Sequence, residues 1–252
     1  MGRVKHPSGI AWTSTKSEPT PKWDWPGYLA HEAIPEEEAE AIASIHEVID
    51  LTGLVVLDLG CGRGACLNAA KDYGVRKVIG VDQSPYALDA AKRLLDRSDL
   101  PYVLCEDEAT KVGLPDACAD IVWSHGVVEH FKKSELEPYF AEAIRLAGRY
   151  VAFSAPNPDS GVYREFRQMR LQEGTWKWGY EEPLSSYATY LRKAGCSVII
   201  DAPICKGAHY GYFKQLPEER QRHWRSRIVA GDEPGIYTLV VAVVPDSFGG
   251  EE

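Results

Sequence analysis

The chain is short of several things that would direct the reading elsewhere. Positive charge is in deficit: 28 Lys and Arg stand against 37 Asp and Glu, a net charge of -9. A protein built to grip nucleic acid carries a basic footprint, so nucleic acid is not an expected partner. No apolar run reaches bilayer length. The longest strand-like run near the end, Tyr237–Val244, is too short to cross a membrane, and no signal-peptide pattern opens the chain. The six cysteines (Cys61, Cys66, Cys105, Cys118, Cys196 and Cys205) form no Cys-x-x-Cys pair, and the histidines are scattered. Zinc-ligand spacing is therefore absent, no metal ligand is assigned, and the thiols read as reduced in a cytoplasmic protein.

What is present is organised around Val56-Leu57-Asp58-Leu59-Gly60-Cys61-Gly62-Arg63-Gly64. An apolar strand enters a turn of three closely spaced glycines, and a helix begins near Ala65. Glycine permits the sharp turn and a close ligand, since no Cβ intervenes. The helix start beyond it presents unpaired N–H groups. This is the pattern of a nucleotide-type cofactor loop at the carboxyl edge of a parallel sheet. Gly60, Gly62 and Ala65 also satisfy the dinucleotide fingerprint, so the loop alone leaves the cofactor open.

At 252 residues the chain fits one α/β domain with insertions. Residues 1–21 are polar and read as a mobile arm, with a single domain over 22–252. Trp23, Trp25 and Tyr28 read either as a packing plug or as one wall of a substrate site. Pro35 opens a helix through Asp50, with acids in its first turn. Then strand and helix alternate: strand Val55–Leu59, helix Ala65–Tyr73, strand Lys77–Val81, a helix from Pro85, strand Tyr102–Cys105, strand Asp120–Ser124, helix Ser134–Ala147 and strand Tyr150–Ser154. Such alternation implies a doubly wound, mostly parallel sheet covered on both faces. Near the end, helix Ser185–Ala194 leads to strand Ser197–Ile200, and Tyr237–Val244 follows without an obvious covering helix. These two strands are expected to pair antiparallel at a sheet edge. Residues 157–183 and 206–235 are too long for connectors and read as inserted caps or site-forming loops.

The order and the words resemble the class I S-adenosylmethionine-dependent methyltransferases, with the small-molecule type of ubiquinone and menaquinone biosynthesis nearest in flavour. The motif-level resemblance spans about Leu54–Pro156; from Ser185 to Pro245 it is one of topology. It implies a Rossmann-like seven-stranded sheet with an antiparallel last strand. The family's first motif maps onto Asp58, Gly60, Cys61, Gly62 and Gly64, whose loop backbone would hold the methionine part while Asp58 holds its ammonium. The resemblance places Asp82 on the ribose hydroxyls, with Gln83 beside it. Asp107 or Glu108 falls at the adenine amino position. In the Asp120–Phe131 segment, Ser124 and His125 fall beside the transferred methyl, and the Glu129-His130 pair stays close. His125 and His130 are thus the candidate catalytic groups, each with structural packing as its alternative.

The implied activity is methyl transfer from S-adenosylmethionine to an O, N or C nucleophile of a small molecule, leaving S-adenosylhomocysteine. Alternatives are a non-catalytic cofactor-binding protein, a protein or peptide methyltransferase, and a nicotinamide oxidoreductase. The Asp/Asn-Pro-Pro-Tyr/Phe and Pro-Cys words of nucleic-acid base methyltransferases are absent from the expected places. In the first insertion, Tyr163, Trp176, Trp178 and Tyr180 could line a pocket or pack a cap helix. In the second, Lys206, Lys214, Arg220, Arg222, Arg225 and Arg227 gather with His209, Tyr210, Tyr212 and His223. They read as a solvated helical face, or as a mouth where an arginine holds an anionic substrate group.

Overall fold

Near-continuous apolar runs become strands buried on both faces, and the segments between them become helices that do the covering. The structure is a computed structural model that describes residues 36–206 and 211–245. The arm at 1–21, the Trp23, Trp25 and Tyr28 cluster, Pro35, His209 and Tyr210 lie outside the described residues. The elements in order are α1 (Glu36–Val48), β1 (Val55–Leu59), α2 (Ala65–Ala69, continued by a 3-10 turn at Ala70–Tyr73), β2 (Lys77–Asp82), α3 (Pro85–Leu95), β3 (Tyr102–Glu106), β4 (Ala119–His125), α4 (Lys133–Leu146), β5 (Ala147–Pro156), α5 (Gly161–Gln172), α6 (Ala188–Lys193), β6 (Ser197–Ile204), α7 (Gly211–Lys214), α8 (Glu218–Ala230) and β7 (Tyr237–Val243).

The seven strands form one sheet in the order β3-β2-β1-β4-β5-β7-β6. β1 pairs parallel with β2 and β4, so the strand order reverses beside β1, where open α/β sheets bind their ligands. β7 runs antiparallel between β5 and β6. Its first residue, Tyr237, therefore pairs with Pro156 at the edge where the parallel strands end. The two final strands do pair antiparallel as the sequence implied, with β6 outermost.

Alternation along each strand feeds two cores. On one face Leu57 and Leu59 pack with Leu136, Tyr139 and Phe140 of α4 and with Leu191 of α6. On the other, Val56 and Ile121 pack with Ile42 and Ile45 of α1 and with Leu67 of α2. α3 starts where its sequence says it should: Ser84 caps it by accepting from the Ala87 N–H at 3.3 Å, and Pro85 occupies the first turn.

The inserted segments build a third, smaller core. Phe166 of α5, Trp176, Phe213 of α7 and Trp224 of α8 pack together with Tyr163 and Tyr237. A Cβ at Gly161 would lie 2.0 Å from the Trp224 ring, so only glycine admits α8 against the start of α5. Glu165 ties the two helices, accepting from the Trp224 indole at 2.8 Å and from Arg220 at 2.5 and 2.6 Å. Tyr163 and Trp176 of the first insertion are thus 2% and 5% exposed and pack the cap.

Candidate functional site

The glycine loop is a left-handed turn at three positions, with φ of 89° at Gly60, 52° at Gly62 and 78° at Gly64. Gly60 and Cys61 donate to the Val81 carbonyl at 2.8 and 2.9 Å, which fixes the loop to the end of β2. A Cβ on Gly60 would meet the Val127 side chain at 2.6 Å, so the turn after β4 lies directly on the loop. Cys61 is buried within the loop.

Asp58, within β1, is 2% exposed, and its Oδ1 has no hydrogen-bond partner. Burial pushes its carboxyl up to about 7, against an opposing pull from the Trp123 indole. A buried carboxylate without a partner is costly in a finished structure. Asp82 ends β2 with both oxygens engaged: Oδ2 accepts from the Gly62 N–H at 2.9 Å and Oδ1 from the Ser84 N–H at 2.8 Å. Burial raises it to about 6 while those two bonds hold it down. Each oxygen still has a lone pair for a further donor.

Beyond β2, Gln83, Asp107 and Glu108 line one cavity of about 510 Å³ with Glu106, Lys111, Val112 and Gly113. Asp107 accepts from the Gly113 N–H at 3.1 Å, and its own N–H donates to the Asp82 carbonyl at 3.2 Å. The acidic run after β3 is therefore joined to the glycine loop through Asp82.

β4 delivers Ser124 and His125 to the same edge. Ser124 is buried beside Tyr139. His125 Nδ1 shares a 2.7 Å hydrogen bond with the Ser154 hydroxyl, and its ring lies 4.8 Å from that of Tyr237. Burial lowers His125 to about 4, so the imidazole is neutral near pH 7. His130, in the 3-10 turn Val128–His130, is lowered to about 4 by burial as well. Its Nδ1 lies 2.6 Å from the Tyr180 carbonyl, which locks the turn to the first insertion.

Sequence reasoning missed three contributors. Ser154 and Tyr237 come to His125 only through sheet register. Glu181 comes to Glu129 and His130 from the first insertion, and the three side chains have ligand atoms within 4.8 Å of one another. The flanking aromatics of Trp178-Gly179-Tyr180-Glu181 were the available signal. The basic segment turned out differently from its functional reading. Arg220 is committed to Glu165 and Arg222 to Glu218. Arg225 lies over Phe213 and Arg227 over Trp224. Their contacts are thus with the cap's own residues. Tyr212, which the functional reading grouped with them at the mouth, has its hydroxyl 3.1 Å from that of Tyr237.

Residues 56–148 match a family model described as methyltransferase domain. Among curated proteins, the ribosomal protein L11 methyltransferase of Shewanella frigidimarina is 29% identical over 58% of this chain and 46% of its own length. That of Colwellia psychrerythraea is 31% identical over the same shares. The chain thus spans less than half the length of these relatives. Among solved structures, the Haloferax volcanii complex of the Trm112 methyltransferase activator with a methyltransferase aligns at a TM-score of 0.63, with 18% identity over 88% of this chain and 98% of that one. Magnesium protoporphyrin IX methyltransferase of Synechocystis PCC 6803, crystallised with S-adenosylhomocysteine, aligns at 0.57, with 16% identity over 83% and 82%. The narrower likeness to the ubiquinone and menaquinone type rests on the motifs.

Proposed function

We propose that this chain, which carries a class I S-adenosylmethionine-dependent methyltransferase domain, transfers a methyl group from S-adenosylmethionine to a small-molecule acceptor. The observation that carries the reading is Asp58. A buried carboxylate oxygen without a partner, beside a cradle of three left-handed glycines, suits a ligand that brings an ammonium group. The residues present fit the cofactor. Gly60, Cys61, Gly62 and Gly64 would receive its amino-acid part together with Asp58. Asp82 would accept from the ribose hydroxyls with its remaining lone pairs. Gln83, Asp107 and Glu108 would surround the adenine.

The cofactor supplies the activated methyl group and its leaving group. The protein's share is to hold the acceptor in line and to exclude water. His125, neutral and hydrogen-bonded to Ser154, can accept a proton from an acceptor that must lose one. Ser124 stands beside it, and His130 positions the turn through Tyr180. The names of the curated relatives favour a protein acceptor as a second reading. The cap over the transfer edge supports the small-molecule reading, because α5, α7 and α8 close around Tyr212 and Tyr237. The acidic net charge speaks against nucleic acid, and among the described residues no helix is long and apolar enough to cross a membrane.

Calorimetric titration tests the reading. S-adenosylhomocysteine should bind and NAD should not. NAD binding without S-adenosylhomocysteine binding would end it. Binding without methyl transfer to any acceptor would favour a cofactor-binding protein.

A further inference from the structure

Two buried carboxylates face each other next to the transfer edge. Glu129 is 2% exposed and Glu181 7%. Glu181 is a constructed position rather than a loose loop residue. Tyr163 donates its hydroxyl to Glu181 Oε2 at 2.7 Å, and Arg167 donates to the Glu181 backbone carbonyl at 3.0 Å. The Glu182 N–H donates to the Glu129 carbonyl at 2.8 Å, which brings the two segments together. Glu129 Oε1 lies 3.7 Å from where a Cβ of Gly126 would sit, and Gly126 follows His125. Glu129 Oε2 is buried and has no hydrogen-bond partner.

Among the described residues, no Lys or Arg forms an ion pair with either carboxylate within 4 Å. Arg167 tempers Glu181 electrostatically, yet its hydrogen bond goes to the backbone. Burial, with repulsion from Glu181, holds the Glu129 carboxyl well above the usual carboxylate range, and burial raises Glu181 as well, so protonation relieves the empty pair. A cation placed between them displaces that proton and relieves both groups in its stead. His130 stands beside the pair: its Nδ1 lies 2.6 Å from the Tyr180 carbonyl and its Nε2 4.0 Å from Glu129 Oε1. The two carboxylates and the Tyr163 hydroxyl on Glu181 form a set of oxygens that suits a three-donor group. Aromatic rings continue from this pair toward His125. Tyr163 lies 5.9 Å from Tyr212, and Tyr212 lies 6.2 Å from Tyr237, ring to ring. Such faces favour an organic cation further.

We propose that Glu129 and Glu181 form the recognition site for a primary ammonium group carried by the acceptor substrate. This assigns the substrate class as an amine-bearing small molecule, and it rests on the methyltransferase reading above.

The test uses the full chain saturated with S-adenosylhomocysteine, whose own binding is measured first in the same sample. If that ligand fails to bind, the methyltransferase reading falls; the butylammonium titration judges the carboxylate pair alone. The probe is n-butylammonium, with 1-butanol as its neutral counterpart, and the readout is the side-chain carboxyl 13C signals of labelled glutamates. Butylammonium should shift the Glu129 and Glu181 signals saturably while butanol leaves them in place. Glu181→Gln should weaken the response by about tenfold or more, the loss of one charge-assisted bond, with S-adenosylhomocysteine affinity unchanged. Glu129→Gln should do the same and covers the case in which the first variant fails to fold. Equal shifts with butanol, or no shift with either probe, would overturn the proposal. So would saturable broadening of the same two signals by Mn2+ when butylammonium has no effect, since the pair would then be a metal site.

Discussion

Replacing Asp58 by Asn should make the cofactor-free protein more stable and the cofactor-bound protein scarcer. The Asp58 carboxyl rises from 3.8 to about 7 through burial. Between those values the folded state binds more protons than the unfolded chain. Stability therefore falls as pH rises through this window, and the full penalty stands above it. At ~1.4 kcal/mol per pH unit, the ionised side chain costs up to about 4 kcal/mol. Relaxation of the surroundings lowers this, so about 2–4 kcal/mol is expected. Asn is neutral and nearly the same shape, and it escapes the penalty. In a chain of this length that corresponds to roughly 5–10 °C in Tm. Thermal unfolding of both proteins at about pH 5 and pH 8 would read it, each with and without S-adenosylhomocysteine. The variant should melt higher at both, with a gap at pH 5 roughly a third of that at pH 8, since pH 5 lies ~1.2 units above the unfolded carboxyl value. Added ligand should raise the parent's Tm and barely move the variant's, because about 2–3 kcal/mol of charge-assisted contact is gone. A variant that is less stable at the upper pH, or one that the ligand stabilises fully, would refute the reasoning.

Asp82→Ala should reduce S-adenosylhomocysteine affinity by roughly 30- to 100-fold by calorimetry, the loss of about 2–3 kcal/mol of charge-assisted bonding. Its circular dichroism should remain that of a folded protein, though the loop loses its acceptor for the Gly62 N–H. Gly161→Ala should lower stability in urea by about 1–3 kcal/mol, because the new methyl group enters the Trp224 ring. The rate of methyl transfer should show no histidine ionisation near the usual value of about 6.5, since burial lowers His125 and His130 to about 4. A limb at the ordinary value would contradict that burial.

The features legible in the sequence were those with a local cause. Three glycines after an apolar strand specify the loop by backbone sterics. Pro85 announces the start of α3, and short apolar runs announce the strands. Element ends moved by a few residues, as with the helix expected from Pro35 to Asp50, which is described from Glu36 to Val48. The illegible features had tertiary causes. Tyr237 reaches His125 because an antiparallel strand starts where the parallel ones end, and no local pattern fixes that register. Glu181 reaches Glu129 from a distant stretch of chain, held there through Tyr163 and Arg167. Arg220 looked available for a ligand from composition alone, and Glu165 of α5 had already claimed it. Gly161 gave no sign in the sequence that an indole ring would sit over it.

The most direct test of the account is a crystal structure of the full chain with S-adenosylhomocysteine. It should show the ligand's ammonium within hydrogen-bond distance of Asp58 Oδ1, its ribose hydroxyls on Asp82, its adenine in the cavity of Gln83, Asp107 and Glu108, and its sulfur toward Ser124 and His125. A ligand bound elsewhere, or one that leaves the Asp58 carboxylate without a partner, would contradict the account.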